Sequence, residues 1–263
     1  MITKPPLWQL SHRELLAGRP GWHECPDCAE RDPQDEEAWC RYCDGRVGHN
    51  YNSSGGLSRW HRFTHASLGN LRWDWYPTHI RRLVQGYAEG LETHLHDGRG
   101  LILAGGVGCG KTHMAVGMGM LALGLGYRAY ATTFGQLLHD IRATWSDKNR
   151  GDEDWLLTFV EEGDLLILDD LGMEQTTAWA LDRLAHVVNL RYSGGRAVLV
   201  TSNLAPEELC DNWGLPVLSR LYHACQAISF VGAPDLRRRL RPEEVALPRP
   251  VWPGTDAEVV IGK

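Results

Sequence analysis

Between residues 78 and 231 the apolar positions switch repeatedly between a helical period and short continuous runs. Over residues 78–96, Ile80, Leu83, Val84, Tyr87, Leu91 and Leu95 recur at helical spacing, and Thr78 after Pro77 stands where an N-cap belongs. A strand is expected at 101–104, a helix from Lys111 to about residue 123, and a strand at 128–132. Thr133, with Gln136 three positions on, has the form of a capping box opening a helix whose face carries Phe134, Leu137, Leu138 and Ile141. The run 165–168 is apolar throughout, as a strand buried on both faces must be; a helix at 177–192 and strands at 197–200 and 227–231 complete the series. Alternation of this kind specifies an α/β fold, a parallel sheet sandwiched by helices.

The flanks read differently. Residues 1–50 carry turn formers and little helical periodicity, which marks a separate small module. Residues 51–77 form a linker, opening with the Asn-Ser-Ser-Gly-Gly run at 52–56 and continuing into Trp60, Arg62, Phe63, Arg72, Trp73, Trp75 and Tyr76. Aromatics interleaved with arginines suit stacking on single-stranded bases. Packing of the joint onto the body formed by residues 78–240 is the favoured alternative. Residues 241–263 hold Pro242, Pro248, Pro250 and Pro253 and read as an extended or disordered tail.

Composition narrows the partners. A net charge of −6 argues against coating nucleic acid through the overall field and leaves room for a local basic stripe, for which Arg81, Arg82, Arg238 and Arg239 are candidates. The sequence has neither an apolar stretch long enough for a membrane span nor a secretory leader at its start, so no membrane partner and a cytoplasmic location are expected.

The strongest chemical signal is Gly105-Gly106-Val107-Gly108-Cys109-Gly110-Lys111-Thr112, which fits G-x-x-x-x-G-K-[ST] between a strand and a helix. Glycines let the backbone curl so that successive amides face phosphate oxygens, and the following helix adds its positive end. Gly106, Val107, Gly108, Cys109, Gly110, Lys111, Thr112 and His113 are the expected ATP contacts, with Cys109 contributing its amide. Lys111 is expected to reach the β and γ phosphates, and the Thr112 hydroxyl to hold magnesium.

About 60 residues on, the run 165–168 ends in Asp169-Asp170, a Walker B pattern. Set beside the phosphate strand, Asp169 would bind magnesium and Asp170 would polarise the attacking water. The strand at 197–200 runs into Thr201-Ser202-Asn203, and Asn203 is placed to bond both phosphate and water. Arg220 and Arg237 are arginines able to neutralise transition-state charge, one across a subunit boundary and one in cis.

Four of the seven cysteines form two C-x-x-C pairs, Cys25/Cys28 and Cys40/Cys43, separated by 11 residues. Two such knuckles can surround one tetrahedral zinc, and four thiolates close its shell, so the expected site is structural.

Taken together, GGVGCGKTHMA, LLILDDLGMEQTTAWALDRLAHVVNLRY, VTSNLAPEEL, LSRL and VGAPDLR resemble the DnaC/DnaI family of bacterial and phage replicative-helicase loaders, over about residues 62–240. The resemblance implies an AAA+ P-loop ATPase that assembles as a homo-oligomer through its ATP site and engages single-stranded DNA. It implies an N-terminal module that grips a hexameric DnaB-type helicase, and it matches that module in its cysteine pattern alone. It places Asn203 at the sensor-1 position, Arg220 at the arginine finger and Arg237 at the sensor-2 arginine. Many relatives carry glutamate where this chain has Asp170.

Three functions fit. The first is an ATP-dependent helicase loader acting in DNA replication. The second is a transposition helper ATPase similar to IstB. The third is a nucleotide-sensing adaptor that does not hydrolyse and whose zinc module does the binding. The Ser-Asn-Leu and Pro-Glu-Glu-Leu runs and the Asp-Asp pair lean towards the loader.

Overall fold

The computed structural model describes residues 6–9, 66–146, 160–172 and 177–238. The four paired cysteines, Trp60, Arg62, Phe63, Arg239 and the tail expected at 241–263 lie outside the described residues.

Five strands form one parallel sheet: β1 (Gly100–Ala104), β2 (Ala129–Thr133), β3 (Leu165–Asp169), β4 (Ala197–Ser202) and β5 (Cys225–Ser229), in the order β2-β3-β4-β1-β5. β1 pairs with β4 and β5 on its two sides, with Leu101 opposite Leu199 and Gln226. The acid-tipped strand β3 therefore does not lie beside the phosphate strand β1 as expected. β4 stands between them, which sets its polar end in the gap between loop and acids.

The helices are α1 (Thr78–Glu89), α2 (Leu91–His96), α3 (Lys111–Gly124), α4 (Phe134–Ser146), α5 (Ala178–Ser193), α6 (Pro206–Trp213) and α7 (Leu215–Ala224). Each strand feeds its two faces alternately. Leu101 and Leu103 join a core with α1, α2 and α3, while Ile102 and Ala104 join one with α4, α5, α6 and α7. Burial of each such Leu or Ile contributes about 1.5–3 kcal/mol, and all four apolar residues of β3 are buried.

Several local expectations hold. Thr133 Oγ1 accepts from Gln136 N at 3.1 Å, but the Gln136 amide donates to Asp140 Oδ1 instead of returning to the cap, so only half of the box forms. Thr177 caps α5 through Ala180 N. The single helix expected over 78–96 is broken at Gly90 into α1 and α2, and the last strand lies two residues earlier than its apolar run suggested.

In the stretch before α1, Ser67, Leu68 and Tyr76 are buried, and Trp73 Nε1 donates to Leu68 O at 2.9 Å. Trp8 meets Trp73 edge-on at 6.2 Å. These aromatics pack the joint onto the sheet-and-helix body, while Trp75 lies under the Arg72 guanidinium at 4.8 Å. At the opposite end of the sheet, Arg191 is 1% exposed and donates to the carbonyls of Val160, Gly163, Asp164 and Ala197, tying the starts of β3 and β4 to α5.

Candidate functional site

The glycine-rich loop after β1, the acids at the end of β3 and the polar end of β4 converge at the carboxyl ends of these strands. Two features force glycine in the loop after β1. Gly108 and Gly110 have φ of 73° and 84°, a region that costs L side chains about 1–2 kcal/mol, and both are pressed by side chains from elsewhere. A Cβ on Gly108 would fall 1.8 Å from Asp235 Oδ1, and one on Gly110 would fall 2.4 Å from Tyr76 Oη. Leu236 N also donates to Gly108 O at 2.9 Å, so the segment after β5 is hydrogen-bonded to the loop.

Lys111 opens α3 and is buried. Its Nζ donates to Gly105 O (2.9 Å), Gly106 O (2.6 Å) and Asn203 Oδ1 (2.9 Å). Cys109 Sγ donates to Gly106 O at 2.9 Å, and burial pushes its thiol up, which fits a backbone role and not that of a reactive thiolate.

The acids are tied to the loop through hydroxyls. Thr112 Oγ1 donates to Asp169 Oδ2 at 3.1 Å, and Thr201 Oγ1 donates to Asp169 Oδ1 at 2.6 Å. Burial raises the Asp169 carboxyl to about 6; the Thr201 hydrogen bond opposes the shift, the Asp170 charge adds to it, and Thr112 and Lys111 oppose it. A desolvated carboxylate and a hydroxyl meeting at one point are hard oxygen donors suited to magnesium, whose charge would offset the burial of Asp169.

Asp170 adopts φ 57°, the one non-glycine residue at positive φ among the described residues. Two contacts hold it there: its amide donates to Thr201 Oγ1 at 2.9 Å, and Asn203 Nδ2 donates to its Oδ1 at 2.6 Å. Backbone strain of this kind, about 1–3 kcal/mol, persists only where surrounding contacts over-determine it, as they do here. Asn203 thereby joins Lys111 on one side to Asp170 on the other.

Lys111, Thr112, Asp169, Asp170 and Asn203 are thus brought together. Arg220 is not. It lies on α7, where its Nη1 donates to Pro216 O at 2.8 Å, with no hydrogen bond to the loop among the described residues. Arg237 is exposed just past the segment bonded to Gly108, with its amide donating to Asp235 Oδ1 at 3.1 Å. The His113 ring turns to Ser67 O (3.1 Å) and Asn70 Oδ1 (2.7 Å), and burial lowers its pKa, so an ATP contact from His113 falls to its amide. Arg81 and Arg82 are exposed on α1. Thr201, which braces both acids, carried no role in the sequence beyond its place in a polar run, and Tyr76 and Asp235 carried none at the loop.

A cleft of about 780 Å³ lies at the amino ends of β1 and β5, between Tyr87, His94, Arg99, Tyr192 and His223. The length of β1 separates it from the phosphate loop. Among the described residues no group of three or more His, Cys, Asp or Glu side chains is placed to hold a metal, and no helix is long and apolar enough to cross a membrane.

A glycine loop between β1 and α3, acids at the tip of β3 and a polar-ended β4 between them define a P-loop NTPase of the AAA+ type. The chain belongs to the family of IstB-like ATP binding proteins, which matches residues 64–243.

It is similar to an insertion-sequence ATP-binding protein of Mycobacterium tuberculosis, 30% identical over 56% of this chain and 59% of that protein. It is also similar to the replicative helicase loader DnaC of Buchnera aphidicola subsp. Baizongia pistaciae, 29% identical over 44% of this chain and 45% of the loader. The chain thus spans about half the length of the curated relatives it matches. Among solved structures it is similar in fold to the DnaC helicase loader, with TM-score 0.55 and 21% identity over 64% of this chain and 98% of that one. DnaI is also similar, with TM-score 0.51 and 18% identity over 58% and 86%.

Proposed function

We propose that this chain is an ATP-hydrolysing loader that delivers a hexameric DnaB-type replicative helicase onto single-stranded DNA. The observation that carries the hydrolytic part is the relay Lys111–Asn203–Asp170, set beside the Thr112–Asp169 contact. In this reading the loop amides from Gly106 to His113 and the Lys111 ammonium hold the triphosphate. Thr112 and Asp169 hold magnesium, which when bound neutralises charge on the β and γ phosphates. Asp170 accepts a proton from the attacking water, and Asn203 orients that water against the γ phosphate. Arg237 contributes charge in cis.

Arg220 bonds only within its own helix among the described residues, and as the resemblance places it at the arginine finger, it would serve the site of a neighbouring copy and make hydrolysis report assembly. The helicase part rests on the resemblance to DnaC and DnaI. Cys25, Cys28, Cys40 and Cys43 are proposed to hold one zinc and to shape the helicase-binding module.

The family match and the insertion-sequence relative in Mycobacterium tuberculosis favour a second reading, a transposition helper ATPase. One experiment separates them. The purified chain is mixed with the replicative helicase, or with a transposase encoded beside it, with and without ATP. Cys25→Ser/Cys28→Ser and Lys111→Ala variants serve as controls. Capture of the helicase, weakened in the cysteine variant, supports the loader. Failure to bind helicase under every nucleotide condition, with capture of the transposase, refutes it. Turnover that survives Lys111→Ala would refute the assigned ATP site itself.

A further inference from the structure

Tyr76 precedes α1 and is 6% exposed, yet its hydroxyl has no hydrogen-bond partner among the described residues. A buried, unpaired phenol is unusual, because tyrosine hydroxyls taken out of water normally find an acceptor. This one is aimed at the phosphate loop, where a Cβ on Gly110 would lie 2.4 Å from Oη. Leu236 Cδ1 would lie 3.6 Å from the same point, so Tyr76 and Leu236 stand together on one flank of the loop. Burial pushes the phenol above its ordinary value, so it remains a protonated donor at neutral pH.

The orientation of a nucleotide on this loop follows from the other flank. Asn203 and Asp170, with the Lys111 amine between the loop carbonyls and Asn203, mark the end where the γ phosphate is handled. β4 and β5 flank β1 on its two sides, so Asn203, which follows β4, and Leu236, which follows β5, stand on opposite sides of the loop. A nucleotide with its γ phosphate beside Asn203 would turn its sugar towards Gly110, Tyr76 and Leu236.

We propose that Tyr76 is a nucleotide-positioning residue whose hydroxyl donates a hydrogen bond to an oxygen at the sugar end of the bound nucleotide, on a ribose hydroxyl or the α phosphate. The inference rests on the ATP-binding reading and deepens it. It also gives Gly110 a second duty: besides its φ, the absence of a side chain leaves the hydroxyl room beside the loop.

Tyr76→Phe deletes one oxygen and keeps the ring that packs against Trp73. Because that oxygen has no partner among the described residues, nucleotide-free Tyr76→Phe is expected to melt at or above the wild-type temperature. Its affinity for ATP, measured by calorimetry, is expected to fall roughly three- to tenfold, the loss of one neutral hydrogen bond. Repeating the titration with 2′-deoxy-ATP locates the acceptor. A penalty that disappears places the bond on the 2′-hydroxyl, and one that persists places it on another oxygen at that end.

Wild type that binds ATP, with Tyr76→Phe binding it equally well, overturns the inference alone. A Tyr76→Phe protein that melts lower without nucleotide also overturns it, since the hydroxyl then has a partner within the fold. Wild type that binds no ATP overturns the ATP-binding reading as well.

Discussion

Gly110→Ala perturbs the loop in two separable ways, and the structure gives the size of each. At φ 84° an alanine costs about 1–2 kcal/mol over glycine from backbone sterics alone. Its Cβ would also sit 2.4 Å from Tyr76 Oη, and the rigid, buried phenol has to move, an overpacking cost of about 1–3 kcal/mol. Together these give about 2–5 kcal/mol, which for a domain of this size lowers the melting temperature by roughly 5–15 °C.

The second contribution is removable. In Gly110→Ala/Tyr76→Phe the nearest ring atom, Cζ, is 3.6 Å from the new Cβ, an ordinary van der Waals contact. The double variant should therefore recover about 1–3 kcal/mol relative to Gly110→Ala and retain the backbone cost. Urea denaturation of wild type, both single variants and the double variant, followed by circular dichroism, measures the coupling directly. A double variant no more stable than Gly110→Ala would refute the close approach of Tyr76 to the loop.

Other outcomes follow from the same geometry. Asp170→Asn tolerates the left-handed backbone, so it should fold and bind ATP while turnover drops at least a hundredfold; an active variant in a phosphate-release assay would remove Asp170 from the chemistry. Arg191→Met leaves four carbonyls without their donor and should cost about 3–5 kcal/mol in chemical denaturation, whereas a loss under 1 kcal/mol would show the clamp to be dispensable. Burial first, and then the Arg99 charge, lower the pKa of His94, which stacks on Tyr87 at 4.5 Å. The folded state thus prefers neutral imidazole, and stability present above about pH 6.5 is lost as pH falls from there towards the folded value. Melting temperatures between pH 7.5 and 5.5 should fall less steeply for His94→Gln than for wild type, and parallel slopes would contradict the shift.

Much of the fold was legible because buried parallel strands must be apolar along their whole length and because the loop and the cap at Thr133 depend on local chemistry. α6 and α7 were not legible. Both are short, and Pro206 and Pro216 look like breakers in the sequence although each occupies the first turn of its helix, where proline lacks only an amide that would be unpaired anyway. β5 is an edge strand with only Cys225 and Ile228 buried, so its apolar content does not mark its register. The acids and Asn203 were visible as polar endings of apolar strands, but the bracing by Thr201 depends on β4 lying between β1 and β3, and strand order is not encoded in local pattern. Tyr76 and Asp235 reach the loop from opposite sides of it in sequence, and only tertiary packing brings them there.

The hydrogen bond from Leu236 to Gly108 makes the loop and the chain beyond β5 a single mechanical unit. A shift of Gly108 would be felt first at the backbone that carries Arg237. Arg237, the residue after Leu236, is exposed, so one hydrogen bond and one residue separate the loop backbone from the molecular surface.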